Sequence, residues 1–360
     1  MIKTNFFGLE HLPVEYGAGA PLTGYGLAYS ELAPTMFPNT ETHYAVSRIK
    51  NNKIYFGTDN GQASYGVGAT YIQLSKLIDG VTPRKVIIGF RFETIVAASV
   101  SGQPPVFGTM PANNTTTNAS FVPLKTTSAT PLANGYYEII FDFVASTYTV
   151  LFNGVVLTAA TSLSVSGLTA ANFKTYFWTI GHPYTVWISP AADIFAISDI
   201  YSMYNTDAAD DAAVVPLGPI TLKRLPVIST TGAGWTPSAG SVVDALNTRR
   251  SATASLSAPK VAAPADNTPL RVKVDASSLS GVIVKGITAK VSGLKDVAGD
   301  KPMSAALASN GTTNASVSVA MTAATAPIDT ALGGLLNMPD GSGLTIASLS
   351  NLEVVITPGP

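Results

Sequence analysis

Five aspartates fall within nineteen residues of the stretch that begins at residue 193, DIFAISDIYSMYNTDAADDAAVVPLGPITLKRLP, in a chain where only 12% of residues are charged. Clustered carboxylates are the raw material of calcium sites and of acid–base pairs. Asp193, Asp199, Asp207, Asp210 and Asp211 are therefore the first candidates for chemistry. The run DIFAISDIYSMY alternates as a strand does, with Ile194, Ala196, Ser198, Ile200 and Ser202 on one face and Phe195, Ile197, Asp199, Tyr201 and Met203 on the other. Asp207, Asp210 and Asp211 fall in the turn-forming TDAADDAA before Pro216, where a helix N-terminus favours acidic residues without any ligand. With Asn205 close by, these three are the candidate Ca²⁺ site, and the whole cluster reads better as a strand and its exit loop.

A second acidic pair, Glu138 and Asp142, lies on one face of YEIIFDF. Strand rise sets their Cα atoms about 13 Å apart, whereas glycoside hydrolysis wants carboxyls about 5 Å apart for retention and somewhat under 10 Å for inversion. They are expected to be two solvent-side acids on a half-buried strand. His11, His43 and His182 are the three histidines, no two of them are at a metal-ligand spacing, and none is taken as a metal ligand. No nucleophile elbow, Walker loop or dinucleotide fingerprint precedes a helix. A non-enzymatic protein without catalytic, cofactor or further metal residues is the expectation.

Composition narrows the setting. Twenty-one basic residues against 22 acidic give a net charge of −1, and no basic stripe exists that could displace counterions from nucleic acid. No run of about 18 apolar residues suggests a membrane span, and MIKTNFFGLEHLP lacks the features of a signal peptide. Cysteine is absent, which excludes disulfides and thiolate chemistry.

The elements that must position these residues are strands. HYAVSRI and KIYFGT are followed by ATYIQLSKL, with Asp59-Asn60-Gly61 suggesting a hairpin turn before it. RKVIIGFRFETIV sets Val86, Ile88, Phe90 and Phe92 on a buried face and Ile87, Gly89, Arg91 and Glu93 on a wetter one. GYYEIIFDFVAS and TYTVLFNGVVLTA form the clearest pair, and Asn153-Gly154 supplies a tight turn between TVLF and VVL. Short strands without amphipathic helices between them indicate an antiparallel sandwich. Packing is expected from Phe90, Phe92, Phe141, Phe143, Leu151 and Trp178, with Trp235 closing a domain junction. All 3 Trp, 14 Tyr and 14 Phe lie at or before Trp235. Beyond it, five short runs built on Val, Ile, Ala and Ser suggest a smaller second sandwich.

The order GFRFE, YYEIIFDF–TVLFNGVVL, DIYSMYN, GPITLKRLP and GAGWTPSAGS, followed by ITAKVSGLKDVAGDKPMSAALASNGTT and MPDGSGLTIASLSNLEVVI, resembles tailed-bacteriophage virion proteins. In these a laminin-G or concanavalin-like jelly roll precedes a small β-domain. The resemblance spans roughly residues 43–356. Ser198 stands where the pattern has a second acid, and Gly218-Pro219 replaces Gly-Asp, which suggests an edge strand there.

The resemblance implies an all-β protein: a jelly-roll sandwich over 43–235 and a small C-terminal sandwich over 256–360, joined by a linker at 236–255. Residues 1–42 form an arm that either lies along a neighbouring subunit or is an edge of its own domain. It implies a structural virion component of fibre, tail, baseplate or collar type, made in the host cytoplasm. Its partners would be other virion proteins and copies of itself, as a homotrimer or other homo-oligomer. A capsid decoration role and a host-glycan-binding module are the alternatives. For the latter, ring stacking and amide hydrogen bonds single out Asn113, Asn114, Asn118, Tyr184 and Trp187.

Overall fold

The computed structural model describes residues 2–7, 45–50, 53–58, 65–66, 69–95, 106–111, 122–124, 132–181, 186–187, 195–248, 259–294, 302–319, 321 and 328–359. Contacts divide the chain into two units, with the change in sequence between Leu222 and Lys223. Both units are antiparallel β-structure, so the chain is an all-β protein.

In the first unit the strands are β1 (Ile2–Phe7), β2 (Ala45–Lys50), β3 (Lys53–Thr58), β4 (Tyr65–Gly66) and β5 (Ala69–Gln73). The one-turn helix α1 (Leu74–Leu77) leads to β6 (Lys85–Thr94), β7 (Val106–Pro111), β8 (Val122–Pro123) and β9 (Gly135–Asp142). Then come β10 (Thr147–Phe152), β11 (Val155–Ser162), β12 (Tyr176–Gly181), β13 (Val186–Trp187) and β14 (Phe195–Asn205). One sheet runs β11-β10-β9-β6-β14-β1, with β3 also on β14 and β2 on β3. The facing sheet runs β5-β12-β7-β8, and β4 pairs with β13.

The sandwich closes through aromatic rings. Phe90 from the first sheet meets Trp178 from the second edge-on, with centroids 4.7 Å apart, and stacks at 5.6 Å on Tyr137 of the neighbouring strand. Such pairs add to the burial of their own surface. Phe141 and Phe143 both pack edge-on against Phe173. Phe90, Phe92, Phe141 and Trp178 are fully buried, as their positions in the alternation require. Leu151 differs. It lies opposite Glu138 on the outer face and is half-buried, while Val150, opposite Ile139, fills the interior.

Asn153 and Gly154 make the β10–β11 turn with φ of 49° and 81°, the left-handed pair that a two-residue hairpin demands. The turn read at residues 59–61 does not join a hairpin. β3 pairs with β2, Lys50 facing Lys53, and β5 pairs with β12 in the other sheet. Those turn residues lie outside the described set, as does most of the arm. Its described part, Ile2–Phe7, is a strand of its own sheet, paired with β14 from Ile2↔Asn205 to Phe7↔Ile200.

The second unit contains β15 (Val227–Thr231), β16 (Thr236–Pro237), α2 (Val242–Asn247), β17 (Val261–Ala262), β18 (Leu270–Val274) and β19 (Ile287–Gly293). It ends with β20 (Met303–Ser309), β21 (Thr312–Thr313), β22 (Val317–Val319), β23 (Ile328–Leu335), α3 (Ile346–Leu349) and β24 (Leu352–Pro358). A sheet runs β15-β18-β24-β20-β21, with β22 on β20, and β19 pairs with β23. Leu270, Leu307, Leu332, Leu349 and Ile356 build an aliphatic core.

Trp235 sits in that core at 9% exposure, its indole N–H donating to the Thr268 carbonyl at 2.8 Å. It is therefore an anchor of the second unit, and the boundary falls before it, not after it. The expected linker also contains structure. Ser241 and Asp244 form a reciprocal capping box that starts α2, and the Asn247 amide clamps both backbone groups of Val227.

Candidate functional site

The acidic stretch becomes β14, a 3₁₀ turn over Ala208–Ala213 and an irregular segment that crosses the outer face of the first sheet. β14 is not regular. Ser198 lies opposite Arg91 and Tyr201 opposite Gly89, so three steps on β14 answer two on β6. The extra residue is a bulge, with Asp199 at φ 51°, a conformation that Asp tolerates better than most residues. The bulge exchanges the faces downstream. Phe195 and Ile197 point inward with Phe92, whereas Tyr201 and Met203 point outward beside Gly89 and Ile87. Strict alternation would have kept all of them on one side.

Gly89 makes room for Tyr201. A Cβ at this position would lie 2.1 Å from Tyr201 Cε1 and 2.9 Å from the Tyr136 hydroxyl. The phenol of Tyr201 crosses this notch and donates to Glu138 Oε1 at 2.5 Å. Glu138 is 1% exposed. It is not the solvent-side acid that the strand pattern suggested, because residues 214–222 fold over it and the Gly218 N–H donates to the same Oε1 at 2.9 Å. Among the described residues its Oε2 has no hydrogen-bond partner. Burial pushes the Tyr136 and Tyr201 hydroxyls well above the usual phenol range, so both remain donors.

Asp199 is the second anchor. Its Oδ2 accepts from Arg91 Nε at 2.8 Å and its Oδ1 from the Leu222 N–H at 2.9 Å. Arg91 donates onward to the Ile220 carbonyl at 3.0 Å and lies 5.6 Å from the centroid of the Tyr136 ring. The Tyr136 hydroxyl donates to the Asp199 carbonyl at 3.0 Å. Residues 218–222 thus run as an irregular segment held by side chains, not as the edge strand that Gly218-Pro219 suggested.

The three loop aspartates do different work. Asp207 caps the 3₁₀ turn, its Oδ1 accepting from the Ala209 N–H at 3.1 Å. Asp211 meets Arg84 in a two-pronged pair, Nε–Oδ1 at 3.0 Å and Nη2–Oδ2 at 2.8 Å, and its Oδ1 also accepts from Asn205 at 2.7 Å. The Arg84 and Asn205 hydrogen bonds hold its carboxyl down to about 2. Asp210 donates its backbone N–H to the Asp207 carbonyl at 3.2 Å. The Arg84 guanidinium is thus the cation that Asp211 meets, while the Asp207 carboxylate is taken by its own turn. Among the described residues no group of three His, Cys, Asp or Glu is arranged to hold a metal.

Asp142 pairs with Lys85 at 3.1 Å, and its Oδ1 accepts from the Val144 and Ala145 N–H groups. Asp193, the three histidines, Asn113, Asn114, Asn118 and Tyr184 lie outside the described residues. Trp187 is placed by its backbone alone, opposite Tyr65 in the β4–β13 pair. Gly89, Tyr136, Tyr201, Arg84 and Arg91 were not singled out for this site by the sequence. The one local signal was Gly89 itself, a glycine inside a strand, which marks a close approach.

No family model matches the sequence, and no curated protein matches it. Among solved structures the chain is similar to the winged bean acidic lectin complexed with methyl-α-D-galactose. That match has a TM-score of 0.29 and 12% identity, over 56% of this chain and 98% of the lectin. It is also similar to the N-terminal CBM22-1–CBM22-2 tandem domain of Paenibacillus barcinonensis Xyn10C, with a TM-score of 0.21 and 8% identity, over 88% and 90% of the two chains.

Proposed function

We propose that this chain is a non-enzymatic structural component of a bacteriophage virion, of the tail-, baseplate- or collar-associated fibre type, that assembles as a homo-oligomer. One observation carries the non-enzymatic part. Glu138, Asp142, Asp199, Asp207 and Asp211 are each bonded to the scaffold's own donors. The virion setting rests on the order of motifs across residues 43–356.

Assembly from copies of this chain is supported by β11. It ends its sheet among the described residues, and it contains no charge and no proline, the usual protections of a free edge. Val155, Val156 and Leu157 are 71%, 58% and 46% exposed there. Consecutive strand residues face opposite ways, so the edge is apolar on both sides.

Quantitative mass spectrometry and immunogold labelling of purified particles test the reading, with a fixed copy number at one particle location as the expected result. Absence from the particle would end it. In solution the purified chain is expected to associate with rising concentration, and Val156→Lys to shift it toward the monomer by light scattering. Binding to host-surface glycans that is lost on Asn114→Ala or Tyr184→Ala would point to recognition instead.

A further inference from the structure

We propose that residues 214–222 form a detachable strap that opens as one unit while the sandwich beneath it stays folded. The segment carries its own set of bonds. Among the described residues, none of its backbone groups pairs with another backbone group. Every tie runs to a side chain on the outer face: Leu217 N–H to the Tyr201 hydroxyl at 3.1 Å, Gly218 N–H to Glu138, Leu222 N–H to Asp199, and the Ile220 carbonyl and Thr221 hydroxyl to Arg91.

Apolar anchoring is partial. Val214 and Ile220 are buried near either end and Pro216, Leu217 and Leu222 are half-buried, while Val215 is exposed and Gly218 turns the chain with φ 76°. Segments with few buried apolar contacts sit at the low end of the stability range and open first.

The ladder below is independent of the strap. β6 bonds to β9 and β14 through its own backbone along its length, so lifting the strap breaks no sheet hydrogen bond. It would also return Glu138 and the Tyr201 hydroxyl to water, which offsets part of the loss, because their burial carries a desolvation cost.

Cooperativity follows from shared anchors. Tyr201 and Glu138 are bonded to each other and each receives one strap N–H, while Arg91 holds both Asp199 and the Ile220 carbonyl. Loss of one tie therefore loosens the next. The inference is independent of the assembly role.

Native-state amide exchange on the full chain tests it. The Leu217, Gly218 and Leu222 amides are expected to exchange through one common opening, roughly tenfold or more faster than the central amides of β6 and β9. Tyr201→Phe should accelerate all three by one common factor. Should that variant fail to fold, Ile220→Ala, which removes an apolar peg without touching the hydrogen bonds, is expected to do the same. Exchange of the three amides at the rate of the β6 and β9 centres would overturn the proposal. So would a change confined to the amide whose own partner was removed.

Discussion

Gly89→Ala is expected to destabilise the first unit by about 3 kcal/mol, the upper part of the usual range for overpacking a closed interior. The added carbon would lie 2.1 Å from a ring carbon of Tyr201. That ring cannot swing aside cheaply, because its hydroxyl is held by Glu138 and by the Leu217 N–H. Either the phenol leaves its notch or β6 and β14 separate, and both break bonds that the outer face depends on. All 14 tyrosines precede residue 223, and those the structure describes belong to the first unit, so tyrosine near-UV circular dichroism during a urea titration follows mainly that unit. Gly343→Ala is the control: a side chain there meets nothing within 4 Å, and the change should leave the tyrosine transition in place. An unshifted midpoint for Gly89→Ala would mean that Tyr201 does not occupy the notch.

Glu138→Ala is expected to cost a similar amount, about 3 kcal/mol, from a buried void together with two donors left without an acceptor. Those donors are the Tyr201 hydroxyl and the Gly218 N–H. Glu138→Gln separates the causes. Gln keeps an acceptor at the Oε1 position and replaces the carboxylate by a neutral amide, whose nitrogen takes the place of an oxygen that has no partner among the described residues. The loss is expected to fall to about 1 kcal/mol. Equal losses for Ala and Gln would show that the charge itself, not the acceptor, holds the outer face.

Much of the scaffold was legible because it is local. Asn153-Gly154 declares its turn through the φ it must adopt, and Phe90, Phe92 and Phe141 declare the core through a period of two. The acid-rich TDAADDAA likewise becomes a capped 3₁₀ turn at Asp207.

What failed was long-range. Alternation placed Tyr201 with Phe195, but one extra residue at Asp199 reverses every side chain beyond it, and nothing in the run announces a bulge. The strand pattern put Glu138 in solvent because it has no access to a segment eighty residues away that folds over it. Trp235 looked like the close of the aromatic domain. It is the aromatic anchor of the next one, whose remaining core is aliphatic. Asp199 lies in the strand and Asp207, Asp210 and Asp211 in the exit loop, as read, yet the arginine partners of Asp199 and Asp211, Arg91 of β6 and Arg84 just before it, lie more than a hundred residues earlier.

The central claim is that these carboxylates belong to the scaffold, and titration of the Asp211 side-chain carboxyl by NMR, with and without millimolar calcium, tests it most directly. A carboxyl lowered in the folded state adds stability that is complete above its unfolded value near 3.8 and is lost as pH falls through its folded value. The predicted midpoint is about 2, with the Arg84 pair and its contribution lost between roughly pH 4 and pH 2, and calcium leaving the curve unchanged. A midpoint near 3.8, or a saturable calcium-dependent shift at Asp211 and Asp207, would contradict the account.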